Sequence, residues 1–283
     1  MPFHIEIAAD IAACARTVPI QEEVWSGDVA VPPQLLLAVV HNGGFVANGY
    51  VDSDPRPAGF VFGFPGIAGI RGNQGIDGRR TGHHSHMLAV RAPHRHTGLA
   101  LALKTAQREH CLAQGIEIMT WTMDPLEARN ARFNFGTLGA SAREYHRDFY
   151  GPMPDKLNSG LPSDRFTVEW ALGSDRVARR LRGEEQAQSP SLEHAEGDLT
   201  RYLLRAERDR PVHFDPPRGE PQLLLEIPGD IQALKRQDPA LALAWRYTLR
   251  TALEAAFTAG YAAVGFLRGT DGRGAYLLGQ QAR

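Results

Sequence analysis

The clearest pattern in the chain lies between Gly98 and Gln114. Leu99, Ala102, Leu103, Ala106, His110 and Ala113 recur at three-to-four spacing, which predicts an amphipathic helix. Gly115 follows as a left-handed terminator. Before the helix, the apolar part of "HSHMLAVRAPHRHTGLALALK" (His84 to Lys104) predicts a strand that breaks into a polar loop rich in His and Arg. After it, "IEIMTWTM" alternates Ile116, Ile118 and Thr120 against Glu117, Met119 and Trp121, the period of a strand.

Upstream, "IAACARTVPIQEEVW" predicts one helix stopped near Pro19, and "PQLLLAVVHNGGFVANGYV" predicts two strands around a hairpin at Asn42-Gly43-Gly44. "PRPAGFVFGFPGIAGI" predicts another strand, and Arg71 to Gly82 a polar loop. Three antiparallel strands therefore precede the one beginning at His84, which is the fourth, and "IEIMTWTM" is the fifth. Downstream, "LEARNARFNFGTLGA" predicts a short helix ending at Gly136 or Gly139.

Beyond Trp170 the character changes. "RVARRLRGEEQAQSPSLEHAEGD" is charged and poor in large apolar residues, which places a boundary between about Leu172 and Asp198. The division read is a first domain over 1–172, a linker over 173–197, and a smaller α/β region over 198–283 that completes a pocket or pairs two subunits. In that last region "EPQLLLEIPGDI", "ALALAWRYTLRTALEAAFTAG" and "YAAVGFLRG" repeat the order strand, loop, helix, glycine, strand, as in a degenerate internal copy of Met87 to Trp121. The run Leu223 to Ile227 would be an aggregation hazard as a bare edge, so it is expected to be paired within the chain or across a dimer.

Composition limits the function classes. With 283 residues, 43% hydrophobic and 22% charged, the chain can bury a sizeable core. A formal net charge of −1 leaves no global field for a polyanion, so nucleic acid is not expected as a partner and any anion site must be local. Two cysteines, Cys14 and Cys111, do not make a disulfide framework, and "MPFHIEIAAD" lacks the pattern of a signal peptide. No apolar run approaches the roughly 18 residues that span a bilayer. A cytoplasmic protein without membrane association is the expectation.

The strand–loop–helix order carries the candidate chemistry. The first turn of a helix leaves four N–H groups without intrahelical partners, and the helix dipole adds partial positive charge there, so the loop ends on an anion site. Gly98 lets a phosphate approach without a Cβ in the way, Ala100 is small, and Arg95 adds charge and directed donors. The pattern is Arg95-x-x-Gly98-x-Ala100.

Arg/Gln-x-x-Gly-x-Gly/Ala between a fourth strand and the next helix resembles the acyl-coenzyme A pyrophosphate motif of the GNAT superfamily of N-acyltransferases. The surroundings agree in order: Leu88-Ala89-Val90, Gly115, Asn130-Ala131 and Leu138-Gly139-Ala140. The resemblance covers about Met1 to Leu172. A smaller branch of the superfamily is more similar still, through His84-Ser85-His86-Met87, Trp121-Thr122-Met123-Asp124-Pro125-Leu126, Tyr150-Gly151, Leu161-Pro162-Ser163-Asp164-Arg165 and Trp245-Arg246. Some members of that branch are associated with N-succinylamino acid racemase and transfer a succinyl group to D-amino acids.

The resemblance implies a GNAT fold of the α/β (α+β) class: a mixed, mostly antiparallel sheet with splayed fourth and fifth strands, joined to the smaller C-terminal region. It implies acetyl-CoA or succinyl-CoA as co-substrate and a small-molecule amine such as an amino acid as acceptor; the C-terminal region adds the expectation of a homodimer. Leu88, Ala89 and Val90 would offer backbone to the pantetheine arm and thioester. Arg95, His96, Thr97, Gly98, Leu99 and Ala100 would hold the pyrophosphate. A carboxylate base lies in related enzymes eleven residues before the motif's first residue, and that position here is His84; His86, two residues on, faces the same side. An imidazole suits proton relay near neutrality, so His84, with His86, is read as accepting the amine proton directly or through water; the alternative is a hydrogen-bonded structural role for one or both.

The family's usual acid, a Tyr, is replaced here by Phe135, with Tyr145, Tyr150 or solvent as substitutes. Asn130 and Asn134, at i and i+4, would share a helical face toward coenzyme or substrate, or Asn130 would cap the helix beginning there. Trp121 and Asp124 would border the acceptor. A substrate carboxylate would call on one of Arg71, Arg79, Arg80, Arg132, Arg143 and Arg165. His83, His84, His86, His94 and His96 crowd one segment but lack a zinc spacing, so no metal is expected. The alternative to an acyltransferase is a GNAT-fold module that binds coenzyme A without catalysis. A nucleotide-binding protein using the same anion site would want a Gly-x-x-x-x-Gly-Lys loop, which is absent.

Overall fold

The computed structural model describes residues 3–25, 30–52, 54–68, 80–153, 155, 157–184, 192, 202–213, 217, 219–269 and 272–280. The chain divides into two compact units. The first is Met1–Trp121 with Asp155–Leu157 and Ala171–Gly173; the second is Thr122–Pro154, Asn158–Trp170 and Ser174–Arg283. The units follow spatial proximity rather than the change of composition beyond Trp170.

In the first unit β1 (Phe3–Ile7), β2 (Phe45–Val51), β3 (Gly59–Ala68) and β4 (Arg80–Val90) pair antiparallel in succession. β5 (Ile118–Met123) joins β4 in parallel through His83–Met119 and His84–Thr120. Beyond that step β4 and β5 share no registered pair among the described residues. Strand alternation sorts the core into two layers. Val46, Phe60, Phe62 and Ala89 face Ala13, Cys14, Ile20 and Leu36 of α1 (Ile11–Ala15), α2 (Val18–Val24) and α3 (Pro33–His41). Phe45, Ala47 and Val61 face Leu99 and Leu103 of α4 (Leu99–Ala113).

Two expectations upstream of β4 are corrected. Pro19 does not stop a helix; it sits in the first turn of α2, where its missing N–H costs nothing. The run Pro33 to His41 is a helix, not a hairpin strand. A continuous apolar stretch fits either element, and here Pro33 in the first turn and Gly43 at φ +82° past the end decide for helix. The strand that completes the set is Phe3–Ile7. Of the expected polar loop, Arg71 to Arg79 lie outside the described residues, while Arg80 to Gly82 already belong to β4.

In the second unit β6 (Ser141–His146) pairs antiparallel with β7 (Arg165–Ala171) and with β11 (Tyr261–Arg268). The order continues through β12 (Gly274–Gln280) and β10 (Gln222–Ile227) to the hairpin of β8 (Tyr202–Glu207) and β9 (Arg210–His213). The apolar run of β10 is thus paired on both edges within the chain, antiparallel to β12 and parallel to β8. The helical segments are α5 (Ala128–Ala131) continuing as a π-helical turn over Arg132–Thr137, α6 (Asp175–Leu181), α7 (Ile231–Gln237) and α8 (Pro239–Thr258).

Strand, helix, Gly260 at φ +88° and strand follow one another here as the sequence predicts. The likeness to β4-α4-β5 ends at pairing: β12 stands between β10 and β11, whereas β4 and β5 are neighbours. The whole is a mixed α/β protein with parallel and antiparallel pairings. No helix among the described residues is long and apolar enough to cross a membrane.

Candidate active site

The site begins with an irregularity in β4. Phe62 pairs with Met87 and Gly63 with Ser85, so His86 is an extra residue bulged out of the ladder. The bulge leaves the His84 and His86 rings 6.0 Å apart. Both lie beside Phe64, at 5.2 and 5.9 Å, and His86 also meets Phe62 at 5.6 Å. The expected common side for the two histidines is therefore what the structure shows. His84 Nδ1 lies 3.4 Å from Thr120 Oγ1 on β5. Burial, with the fields of His86 and Lys104, lowers the His84 pKa to about 4. The ring is thus neutral near pH 7, with a lone pair available, although a proton placed on it is costly.

Two residues on from Val90, a 3-10 turn at Ala92–His94 leads to Arg95, His96 and Gly98. His96 and Gly98 both take positive φ, +64° and +99°. Gly98 is the N-cap of α4 and brings no side-chain cap, so the first-turn N–H groups stay open. A Cβ on Gly98 would come within 3.4 Å of the Phe3 ring. Arg95 is exposed, its Nε donating to the Val90 carbonyl at 3.2 Å, and Thr97 Oγ1 donates to the His94 carbonyl at 2.7 Å. The fixed loop, the bare helix end and an exposed guanidinium make a donor set suited to phosphate.

The opposite face of β4 carries a network that the sequence reading passed over. Lys104 is 2% exposed, and its Nζ donates to Ser85 Oγ at 3.0 Å, Gln107 Oε1 at 3.1 Å and Met119 Sδ at 3.1 Å. It also stands 4.1 Å from the centre of the Trp121 ring. Ser85 Oγ donates to Gln107 Oε1 at 2.8 Å, and Gln107 Nε2 meets His83 Nε2 at 3.1 Å. Gly63 makes room, since a Cβ there would stand 2.3 Å from His83 Nε2 and 2.6 Å from Gln107 Nε2. Burial lowers Lys104 to about 7 and His83 to about 3.

The second unit holds the remaining predicted residues. Asn130 lies inside α5 rather than capping it, and is exposed. Asn134 is 7% exposed and donates to Met123 Sδ at 3.1 Å. The two asparagines do not share one environment, because the π-helical turn alters the helical register after Ala131. Phe135 is fully buried, edge-on to Phe166 and Tyr276. Of the substitute acids, the Tyr145 hydroxyl is committed to Asp164, and burial first, then that carboxylate, raises its pKa. Tyr150 is exposed, its hydroxyl 2.7 Å from Thr122 Oγ1.

Residues of several motif segments converge in this unit. Asp124 Oδ2 accepts from Arg246 Nη2 at 2.5 Å and lies 3.8 Å from Arg165 Nη1. Arg165 donates to Asn158 Oδ1 at 2.7 Å and stacks 5.4 Å from the Tyr150 ring. Arg250 grips Asp164 at 2.7 and 2.9 Å. Arg246 Nε and Nη1 are buried with no hydrogen-bond partner among the described residues. Of the arginines named for a carboxylate, Arg165 is in this cluster and Arg143 lies 4.0 Å from Glu169. Arg132 is exposed, and Arg71, Arg79 and the Arg80 side chain lie outside the described residues. Among the described residues no group of three His, Cys, Asp or Glu gathers at metal distance.

Lys104 and Arg246 had a readable signal. The buried stripe of α4 is Leu99, Leu103, Lys104, Gln107 and Cys111, and that of α8 includes Ala242, Trp245, Arg246, Leu249 and Leu253. In both, a long cation occupies the position next to the apolar stripe.

No family model matches the chain, and no curated protein matches it. Solved structures similar to it include a Desulfovibrio desulfuricans protein assigned to the GNAT family of acetyltransferases, 15% identical over 61% of this chain and 100% of that one, with a TM-score of 0.45. The ribosomal-protein-S18-alanine N-acetyltransferase of Escherichia coli is 11% identical over 61% of this chain and 96% of its own, with a TM-score of 0.44. Arabidopsis thaliana NAA60 in complex with acetyl-CoA is 13% identical over 60% and 99%, with a TM-score of 0.47.

Proposed function

We propose that this protein is an acyl-CoA-dependent N-acyltransferase that moves an acetyl or succinyl group to the amine of an amino acid or a similar small molecule. The observation that carries the reading is the bare N-terminus of α4 behind Gly98, joined to a bulged β4 that parts from β5 just past His84 and Thr120.

Acyl-CoA supplies the thioester. The open amides from Gly98 to Ala100, with the loop at His96 and Thr97 and the charge of Arg95, hold its pyrophosphate. The backbone of Leu88, Ala89 and Val90 lines the pantetheine arm and polarises the thioester carbonyl. The neutral His84 imidazole, with His86 beside it, accepts the acceptor's proton directly or through water as nitrogen attacks the carbonyl carbon. The carbon–sulfur bond then breaks, and the thiolate leaves and takes a proton from solvent. Within the second unit Asp124 holds Arg165 and Arg246. Trp121, closed under Lys104, serves packing.

The second reading, a coenzyme-binding module without catalysis, is favoured by one observation: Phe135, fully buried, offers no acid. Free thiol release from acetyl-CoA and succinyl-CoA against a panel of D- and L-amino acids separates the two. Release that depends on one acceptor class supports the transferase. Coenzyme binding without release across the panel supports the module.

A further inference from the structure

Lys104 stands at the fork of the candidate site, on the face away from His84. Its ammonium reaches β4 through Ser85 and β5 through Met119, which pairs with His83, and the Trp121 ring; Ser85 and Trp121 lie just past the last registered pair of the two strands among the described residues. The bond to Ser85 falls between His84 and the bulged His86, so it holds the irregular part of β4. Gln107, one helical step on, closes the network onto His83.

The surroundings make this network sensitive to one proton. Among the described residues, the titratable groups that act on Lys104 or feel its charge include His83 and His84 on β4 and Cys111 on its own helix, with His110 acting on His83. β1, β2 and β3, which also pack on α4, turn apolar residues to it: Phe3 and Ile5, Phe45 and Ala47, and Val61. An ammonium has three N–H donors and a full charge; the neutral amine keeps two donors and loses the attraction to the indole face.

We propose that Lys104 is a positioning residue whose charge clamps the fork: as an ammonium it ties Ser85 to Met119 and Trp121 and fixes the bulged segment 84–86, and loss of its proton loosens that segment. The effect on turnover rests on the transferase reading; the clamp itself does not. Because burial brings the Lys104 pKa down to about 7, the change falls near neutrality. The clamped form predominates below that pH and is lost above it.

The test uses the full chain as wild type, K104R, K104M and W121F. Tryptophan fluorescence is followed through the neutral range, together with acetyl-CoA affinity and thiol release with an accepted amine. The wild type is expected to show a fluorescence transition near pH 7 that K104R, K104M and W121F lack. Its turnover is expected to decline on the alkaline side, with K104R flattening that limb. K104M is expected to lower kcat by about tenfold or more while acetyl-CoA affinity stays within about twofold. A transition that survives in K104M or K104R overturns the clamp whether or not the protein is a transferase. Full kcat in K104M overturns its role in positioning. Should either Lys104 variant fail to fold, the other and W121F still decide the spectroscopic arm. A transition that behaves as expected with no thiol release from any amine upholds the clamp and counts against the transferase.

Discussion

Arg246 and Asp124 lie 122 positions apart in the chain, and the Arg246 guanidinium, on a wholly buried side chain, donates to Asp124 Oδ2 at 2.5 Å. Such a pair adds little beyond what a well-packed apolar pair would give, but breaking it strands a charge. Asp124→Ala is expected to lower the unfolding free energy by about 3 kcal/mol in urea denaturation. Asp124→Ala with Arg246→Met is expected to lose less than the sum of the single losses. A loss well under about 1 kcal/mol for Asp124→Ala would show that the stranded guanidinium finds water or another partner.

His84 is neutral at physiological pH because burial disfavours its charged form. His84→Ala is expected to lower thiol release by about a hundredfold or more with acetyl-CoA affinity unchanged, read by steady-state kinetics and calorimetry. Any acid limb of the wild-type profile that belongs to this ring should lie near pH 4, its shifted pKa, and not near 6.5.

The same shifts predict the direction of acid denaturation. His83 and His84 have folded pKa values of about 3 and about 4, below the ordinary 6.5. Below pH 6.5 the unfolded chain therefore takes up protons that the folded chain refuses, and stability falls as the pH drops toward the folded values. Replacing His83 by Asn is expected to flatten that fall in urea midpoints measured across the acid range. An unchanged slope would mean that other groups govern it.

Gly98 holds φ +99° at the head of α4. Gly98→Ala is expected to cost about 1–2 kcal/mol of stability and to weaken acetyl-CoA binding by about tenfold, because strain and a methyl group meet at the anion site. Arg95→Ala, at an exposed position, is expected to weaken binding with no change in stability beyond about 0.5 kcal/mol.

Phe135 is packed among aromatic rings with no exposure. Phe135→Tyr, which restores the side chain usual in the resembled family, is expected to cost about 2 kcal/mol for a buried hydroxyl and to add nothing to the rate. A faster enzyme would place the acid there after all.

The sequence was most legible where two kinds of signal coincide. The start and end of α4 were readable because Gly98 and Gly115 bracket a helical period, and each does take positive φ. Pro33 to His41 was misread because six apolar residues in a row satisfy both periods, and only the placement of Pro33 and Gly43 separates them. The convergence of Asp124, Arg165 and Arg246 was not legible at all: contacts across that many positions follow from pairing order, which local pattern does not contain. Lys104 and Arg246 each stand beside an apolar helical stripe, which is a local signal, but a cation is normally assigned to solvent and it is the packing that turns its head inward.

The bulge at His86 gives β4 a spare residue. Ser85 already opposes Gly63 and Met87 already opposes Phe62, so a chain shortened by one at position 86 would close into a regular ladder with every neighbour on its present side. Shortening the strand outside Ser85 to Met87 would slide the stretch between the cut and the bulge against its partner and exchange inside for outside. Among natural variants of this protein, single-residue length differences in β4 should therefore collect at the bulge.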